Sequence, residues 1–317
     1  MKIKELNRAP KHITNIGGQA LIEGVMMRGP KHVAIAVRKP DKEIELKREE
    51  LNTLGMKYKF FRLPFIRGVV GLVEAMIIGT RSLMYSAEFF EEEEVESKKE
   101  SVTEKVFKDK AENVQMFLTL LTSFALAIGL FMLLPTFLTN FFKNRIESSL
   151  GLNLLEGLVR IIIFLIYIVG VSKLDDIERV FQYHGAEHKT IHCYENQEKL
   201  TVENVKKYPI LHPRCGTSFL FMVMIISILV LSFFGWPNPL QRFLVRILMF
   251  PVIAGISYEV NRLIGKSNSK LAYILSYPGL MIQKMATTKE PDGEQIEVAI
   301  KALEAVLTEN KDEDLWK

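Results

Sequence analysis

Four of the six histidines and both cysteines fall in one stretch, from His184 to Cys215. That is where this chain can do metal or proton chemistry. The string His184-Gly185-Ala186-Glu187-His188 is His-x-x-Glu-His, the order of inverzincin-type zinc hydrolases. On a helix turning about 100° per residue, Glu195, His188 and His192 fall about 20°, 40° and 80° from His184. One face then carries three imidazoles and a carboxylate. His184 and His188, one turn apart, can close on a divalent ion, zinc first among them. Glu187 beside them is placed to activate a metal-bound water. The competing reading is a polar helix whose histidines are merely hydrogen-bonded. Concentration of the scarce ligand types, rather than a five-residue motif, favours the metal.

The remaining candidates come from further away. Glu259, at the end of an apolar segment, is the expected third ligand, with an ion pair to Arg262 as its alternative role. His212 and Cys215 form a His-x-x-Cys pair, or else a rigid turn with a buried thiol. His192, Arg214 and Arg28 are candidates to orient an anionic part of a substrate. Glu23 and Arg28 are charges in an apolar run, where a mutual ion pair is the plainer role.

The elements that must position these residues are set by hydrophobicity in blocks. Met116–Phe142, Leu154–Val171, Phe219–Trp236 and Phe243–Tyr258 are long and nearly uncharged, close to the ~17–25 residues a membrane span needs. The first and third have no polar face to turn to water. The expectation is a mainly α polytopic membrane protein with about four transmembrane helices, cytosolic helices and a small N-terminal β-containing cytosolic unit. No apolar signal segment precedes the spans. Lys and Arg are abundant before the first span and between the second and third, and sparse in the other two loops. Both termini and the histidine loop are therefore expected in the cytoplasm. In that reducing compartment a Cys193–Cys215 disulfide is not expected. The net charge of +4 shows no basic stripe interleaved with aromatics, so nucleic acid is not a predicted partner.

In chain order, residues 1–62 form the β-containing unit. Its run Gly17–Gly29 reads as one buried strand, followed by a hairpin from Val33-Ile35-Val37 to Ile44-Leu46. Residues 63–90 read as an amphipathic helix lying on the bilayer, too charged for a span. Residues 91–112 are a charged linker. Residues 113–286 hold the membrane domain, with the metal-site loop at 173–218, and Pro135 is expected to bend or end the first span. Residues 287–317 hold a C-terminal amphipathic helix capped by Asp292.

Four stretches carry a resemblance. They are Gly18-Gln19-Ala20-Leu21-Ile22-Glu23-Gly24-Val25-Met26-Met27-Arg28-Gly29, Tyr183-His184-Gly185-Ala186-Glu187-His188-Lys189, His212-Pro213-Arg214-Cys215-Gly216-Thr217-Ser218, and Pro278-Gly279-Leu280 with Thr287-Thr288 and Glu290-Pro291. With them the chain resembles the YqhQ-like family of bacterial multi-pass membrane proteins. The resemblance implies metal dependence and a bacterial cell membrane, and no particular substrate.

The residues themselves predict a metal-dependent hydrolase at the cytoplasmic face. His184, His188 and Glu259 hold the ion, Glu187 is the base, and the substrate is a lipid or a peptide. The alternative is an assembly or scaffold protein with a closed structural site of His184, His188, His212 and Cys215. Transport is disfavoured, because spans one and three carry few polar groups.

Overall fold

A computed structural model describes residues 10–90, 111–267 and 269–316. The charged tract Glu91–Glu94 and Lys98–Lys110 lies outside them, and with it nearly all of the expected linker. The chain divides into two compact units. One is drawn from Met1–Phe89, Ile168–Ile226 and Met249–Lys317, the other from Phe90–Tyr167 and Ser227–Leu248.

The first unit is organised around a four-stranded antiparallel sheet in sequence order: β1 (Gly17–Leu21), β2 (Gly24–Arg28), β3 (His32–Arg38) and β4 (Ile44–Glu50). The apolar run expected as one strand is therefore a hairpin. Ile22 and Glu23 make its turn, and Glu23 takes the left-handed backbone, φ 48°. What holds that turn is distant in sequence: the Arg179 guanidinium grips the Glu23 carboxylate, and the Tyr183 hydroxyl donates to it at 3.2 Å. Strand β3 is buried at Val33, Ala34, Ile35, Ala36 and Val37. Both faces of the sheet are thus covered there, which is why its residues are apolar in succession rather than alternating.

Helix α1 (Ile66–Glu88) packs against β1 and β2. Arg28 pairs with Glu74 across that contact at 3.1 Å. The other face meets α5 (Asp175–Glu195) and α9 (Gly293–Glu304), in a core of Val25, Met27, Ala34, Ala36, Tyr183, Ala186, Ile296, Ala299 and Leu303. Asp292 caps α9 through a full capping box with Gln295, satisfying two backbone donors reciprocally. The two ends of the described chain also meet here. Thr14 bridges Leu315, and Asp314 accepts hydrogen bonds from Thr14 and from Tyr194, whose hydroxyl lies at 2.7 Å.

The second unit is helical. Helix α2 (Ala111–Ile128) passes through a π-turn at Gly129–Leu133 into α3 (Leu134–Asn140). Pro135 follows the π-turn without ending the helix; the widened turn absorbs the missing amide donor and the ring. Helix α4 (Ser149–Val171) approaches α6 (Gly216–Ser232) closely at Gly157, where a Cβ would meet Ile228 at 2.4 Å. Helix α7 (Pro239–Lys266) begins in this unit, and α8 (Lys270–Ile282) belongs to the first.

Among the described residues, four stretches are long and apolar enough to cross a membrane: Ile66–Glu88, Leu121–Asn140, Ser149–Val171 and Pro239–Lys266. The helix expected as the third span is the shorter Gly216–Ser232, because the chain leaves the helix before Trp236 and turns through Pro237-Asn238-Pro239. The protein is mainly helical with membrane-spanning character and a small N-terminal sheet.

Candidate metal centre

Helix α5 opens with Asp175, Asp176 and Glu178 at its positive end, favourable for the helix dipole. Its last three turns, from Tyr183 to Glu195, are almost entirely buried. Two glycines make room for what touches it. At Gly185 a Cβ would meet the Lys289 carbonyl at 2.0 Å, so the segment after α8 runs directly over the helix. At Gly18 a Cβ would meet the Glu187 carboxyl carbon at 2.9 Å, so β1 lies against that side chain.

These approaches fix the histidine rings. His184 Nδ1 lies 2.8 Å from the Thr287 carbonyl, and His188 Nδ1 lies 2.6 Å from the Ile210 carbonyl. A carbonyl only accepts, so both Nδ1 atoms carry the proton and both Nε2 atoms present lone pairs. Cys215, just before α6, completes the group. Its Sγ is 3.2 Å from His184 Nε2 and accepts the Thr217 N–H at 3.4 Å. The donor atoms of His184, His188 and Cys215 lie within 4.8 Å of one another. His188 Nε2 is buried and has no hydrogen-bond partner among the described residues. Ring orientation by backbone carbonyls is the usual support of metal-ligating imidazoles, and two nitrogens with a thiolate are a donor set suited to zinc.

The electrostatics agree with the geometry. Burial, with the neighbouring His184, pushes His188 down to about 4, which keeps the imidazole neutral and its lone pair available. At Cys215 the Thr217 N–H and hydroxyl act against burial and favour the thiolate. Glu187 is pushed up to about 7 by burial, moderated by His184 and the Gly18 N–H. Gly18 donates to Oε1 at 3.0 Å, while Oε2 is buried without a partner among the described residues.

Comparison with known proteins adds kinship. A family model described as protein of unknown function, DUF1385, matches residues 63–309. The chain belongs to this family. It is 36% identical over 299 residues to the uncharacterized protein YqhQ of Bacillus subtilis (strain 168), covering 92% of each chain. No solved structure matches.

The other residues singled out from sequence go elsewhere. Glu259 is not brought to the histidine pair: its carboxylate is gripped by Arg67 and accepts the Phe65 N–H at 3.2 Å. Arg28 is spent on Glu74 and Glu23 on Arg179. His212 does not join Cys215. It forms a second group with His192 and Glu195, the two rings 4.6 Å apart. There Arg214 binds both Glu195 oxygens at 2.5 Å, Thr14 N–H donates to the same carboxylate at 3.0 Å, and the His192 ring donates to the Leu211 carbonyl at 2.9 Å.

The sequence carries no sign of what supports the two clusters: the carbonyls of Thr287 and Ile210, the Gly18 N–H and Thr217 around His184, Glu187, His188 and Cys215, and Gln283 behind His212. Gln283 is fully buried, accepts the His212 N–H at 2.9 Å and donates to the His212 carbonyl at 2.9 Å. Main-chain groups leave no residue-type signature. Only Thr287-Thr288 and the glycines offered a hint.

Proposed function

We propose that this protein is a membrane-embedded, metal-dependent hydrolase. His184 Nε2, His188 Nε2 and Cys215 Sγ would hold the ion, zinc before other divalent metals, and Glu187 would be the general base. The buried, unpartnered His188 Nε2 carries this reading, because an orphaned acceptor in a dry site is costly without a partner. The bound metal would supply Lewis-acid polarisation and lower the pKa of water toward ~7. Glu187 would serve as the base through Oε2, unpartnered among the described residues, while the Gly18 N–H holds Oε1 in place. Its pKa of about 7 suits a group that both accepts and returns a proton near neutral pH. The substrate class is an amide, ester or phosphoester in a lipid or peptide at the membrane surface.

Topology supports a site on one side of the bilayer. The sheet, α5 and α9 share one core, so an even number of crossings must separate β4 from α5, and α5 from α9. Three candidate helices fall in the first interval. Helix α1 is the one that packs on the sheet, so it lies along the membrane while Leu121–Asn140 and Ser149–Val171 cross. In the second interval Gly216–Ser232 crosses with Pro239–Lys266. Lys and Arg are concentrated on the sheet side of these four crossings, which supports a reading with that side, and both termini, in the cytoplasm of a bacterial inner membrane.

A non-catalytic structural site is the second reading, favoured by the position of Cys215 at the foot of α6, where an ion would tether α5 to a membrane helix; the four-ligand form expected from the sequence is not assembled, because His212 lies in the other cluster. Cobalt substitution of the detergent-purified full chain separates the two. The hydrolase reading expects about one cobalt per chain with a thiolate-to-cobalt absorption band, lost in His188→Ala and Cys215→Ala and kept in Glu259→Gln. It further expects azide to perturb the ligand-field bands, because three protein donors leave a position open. An azide-insensitive spectrum would select the structural site, and failure of wild type to bind zinc or cobalt would remove both.

A further inference from the structure

The second unit holds a cluster that the metal chemistry does not use. Glu156 on α4 is 2% exposed and is paired with three arginines: Arg160 at 3.1 Å on its own helix, and Arg242 and Arg246 on α7. Thr136 on α3 donates to Glu156 at 3.0 Å and accepts from Arg246 at 2.9 Å. Three guanidiniums against one carboxylate leave two positive charges uncompensated, and among the described residues no second carboxylate pairs with them. Arg160 Nε is buried and has no hydrogen-bond partner among the described residues. A surplus of buried positive charge in an apolar setting is expensive. The arrangement asks for an anion.

The depth indicates which anion. At about 1.5 Å per residue, Glu156 and Arg246 each lie about 10 Å along their helices from Ser149 and Pro239. That is near the boundary between headgroups and hydrocarbon in a bilayer ~40–45 Å thick overall. Trp236, an interfacial residue type, stacks on Arg242 with 3.4 Å from the guanidinium carbon to the ring centroid. Leu154, Leu158, Leu240 and Leu244 on the same two helices are exposed, as lipid-facing side chains would be.

We propose that Arg160, Arg242 and Arg246 form an intramembrane binding site for the phosphate of an anionic phospholipid. Guanidinium forks match phosphate oxygens, and Glu156 orders the three arginines around the place the phosphate occupies. The site is independent of the metal reading.

The test uses the full chain in non-ionic detergent with Trp316→Phe, which leaves Trp236 as the sole tryptophan of the two in the chain. Its fluorescence is followed during titration with mixed micelles of phosphatidylglycerol, with micelles of phosphatidylcholine, and with inorganic phosphate alone. The proposal expects a saturable response to phosphatidylglycerol, about tenfold or more tighter than to phosphatidylcholine. Arg160→Met, which still leaves two arginines for Glu156, should weaken it about tenfold or more. Glu156→Gln, whose amide oxygen still accepts from the arginines and keeps them ordered while the competing charge is removed, should preserve or tighten it. Equal responses to the two lipids overturn the proposal. So does an Arg160→Met protein that binds like wild type with an unchanged thermal melt. Saturation by inorganic phosphate with no preference for the lipid would keep the phosphate chemistry and overturn the lipid as its source.

Discussion

Two clusters of similar composition sit next to each other on α5. His184, His188 and Cys215 form one; His192, Glu195 and His212 form the other, with His188 and His212 only 5.5 Å apart. Ligand types alone cannot tell them apart. Their hydrogen bonds can. In the first, each histidine spends its proton on a backbone carbonyl and turns a lone pair inward, and one of those lone pairs has no donor to meet it among the described residues. In the second, a cation is already present: Arg214 occupies both oxygens of Glu195, and Thr14 adds an amide. A divalent ion there would meet a buried guanidinium. Unfilled coordination capacity marks the first cluster as the candidate for a metal, and completion marks the second as a structural polar cluster.

The largest effect that separates the clusters is on stability. Arg214→Met should leave the buried Glu195 charge without its cation, at a cost of about 3–5 kcal/mol, read as a lowered thermal midpoint of the zinc-loaded protein. Metal per folded chain should stay the same. If zinc is lost in proportion at temperatures where the variant is still folded, the clusters act as one unit and the comparison fails.

A smaller effect distinguishes them by pH. In protein stripped of metal, Glu187 has its pKa raised to about 7 from 4.5. The folded state therefore binds that proton more tightly than the unfolded chain does. Its stabilising contribution is complete below about 4.5 and is lost as pH rises through about 7. His188, lowered to about 4, contributes in the opposite sense, present above about 6.5 and lost as pH falls. His192 and His212 are lowered by burial as well and act with His188. Wild type should thus lose stability on acidification less steeply than Glu187→Gln, with the two curves diverging by about 3 kcal/mol between pH 7 and 4.5. Parallel urea-unfolding curves across that range would mean Glu187 is ionised in the fold and is no proton shuttle.

How much of this was legible in the sequence follows from where each partner lies. The helix through His184 and His188 was readable because its histidines recur at one-turn spacing. Three of the four expected spans were readable because they are apolar along most of their length; the third is the shorter Gly216–Ser232, and Ile66–Glu88, read as too charged to cross, is long and apolar enough to do so. The Gly17–Gly29 run was misread as one strand because its turn at Ile22-Glu23 is held by Arg179 and Tyr183, more than a hundred residues away. Glu259 was assigned to the metal from its place at a helix end, whereas its partner Arg67 comes from the far side of the sequence. His212 and Cys215, three apart, were expected to act together, yet they face different clusters because Gln283 fixes the His212 backbone. Local spacing predicts what local geometry decides; pairings across the fold depend on which backbone segments α5 can accept.

The smallest effect tests the finest part of the comparison, the support around the thiolate. Thr217 touches Cys215 twice, through its N–H at 3.4 Å and its hydroxyl at 3.6 Å, and the hydroxyl also meets Thr287, whose carbonyl orients His184. Thr217→Val keeps the shape and the amide and removes only the hydroxyl. Loss of an outer support of this kind lowers metal affinity by about tenfold, so competition with a zinc chelator should show a shift of that order. The cobalt spectrum should keep its thiolate band, because Cys215 itself remains. The matching change in the other cluster is Thr14→Val, which removes a hydroxyl bonded to Asp314 and to the Ile16 N–H and leaves the amide that Glu195 accepts. It should leave zinc affinity unmoved. If the two valine variants shift zinc by the same factor, the hydroxyl at Thr217 is only part of the general packing, and the first cluster loses its claim to a tuned metal environment.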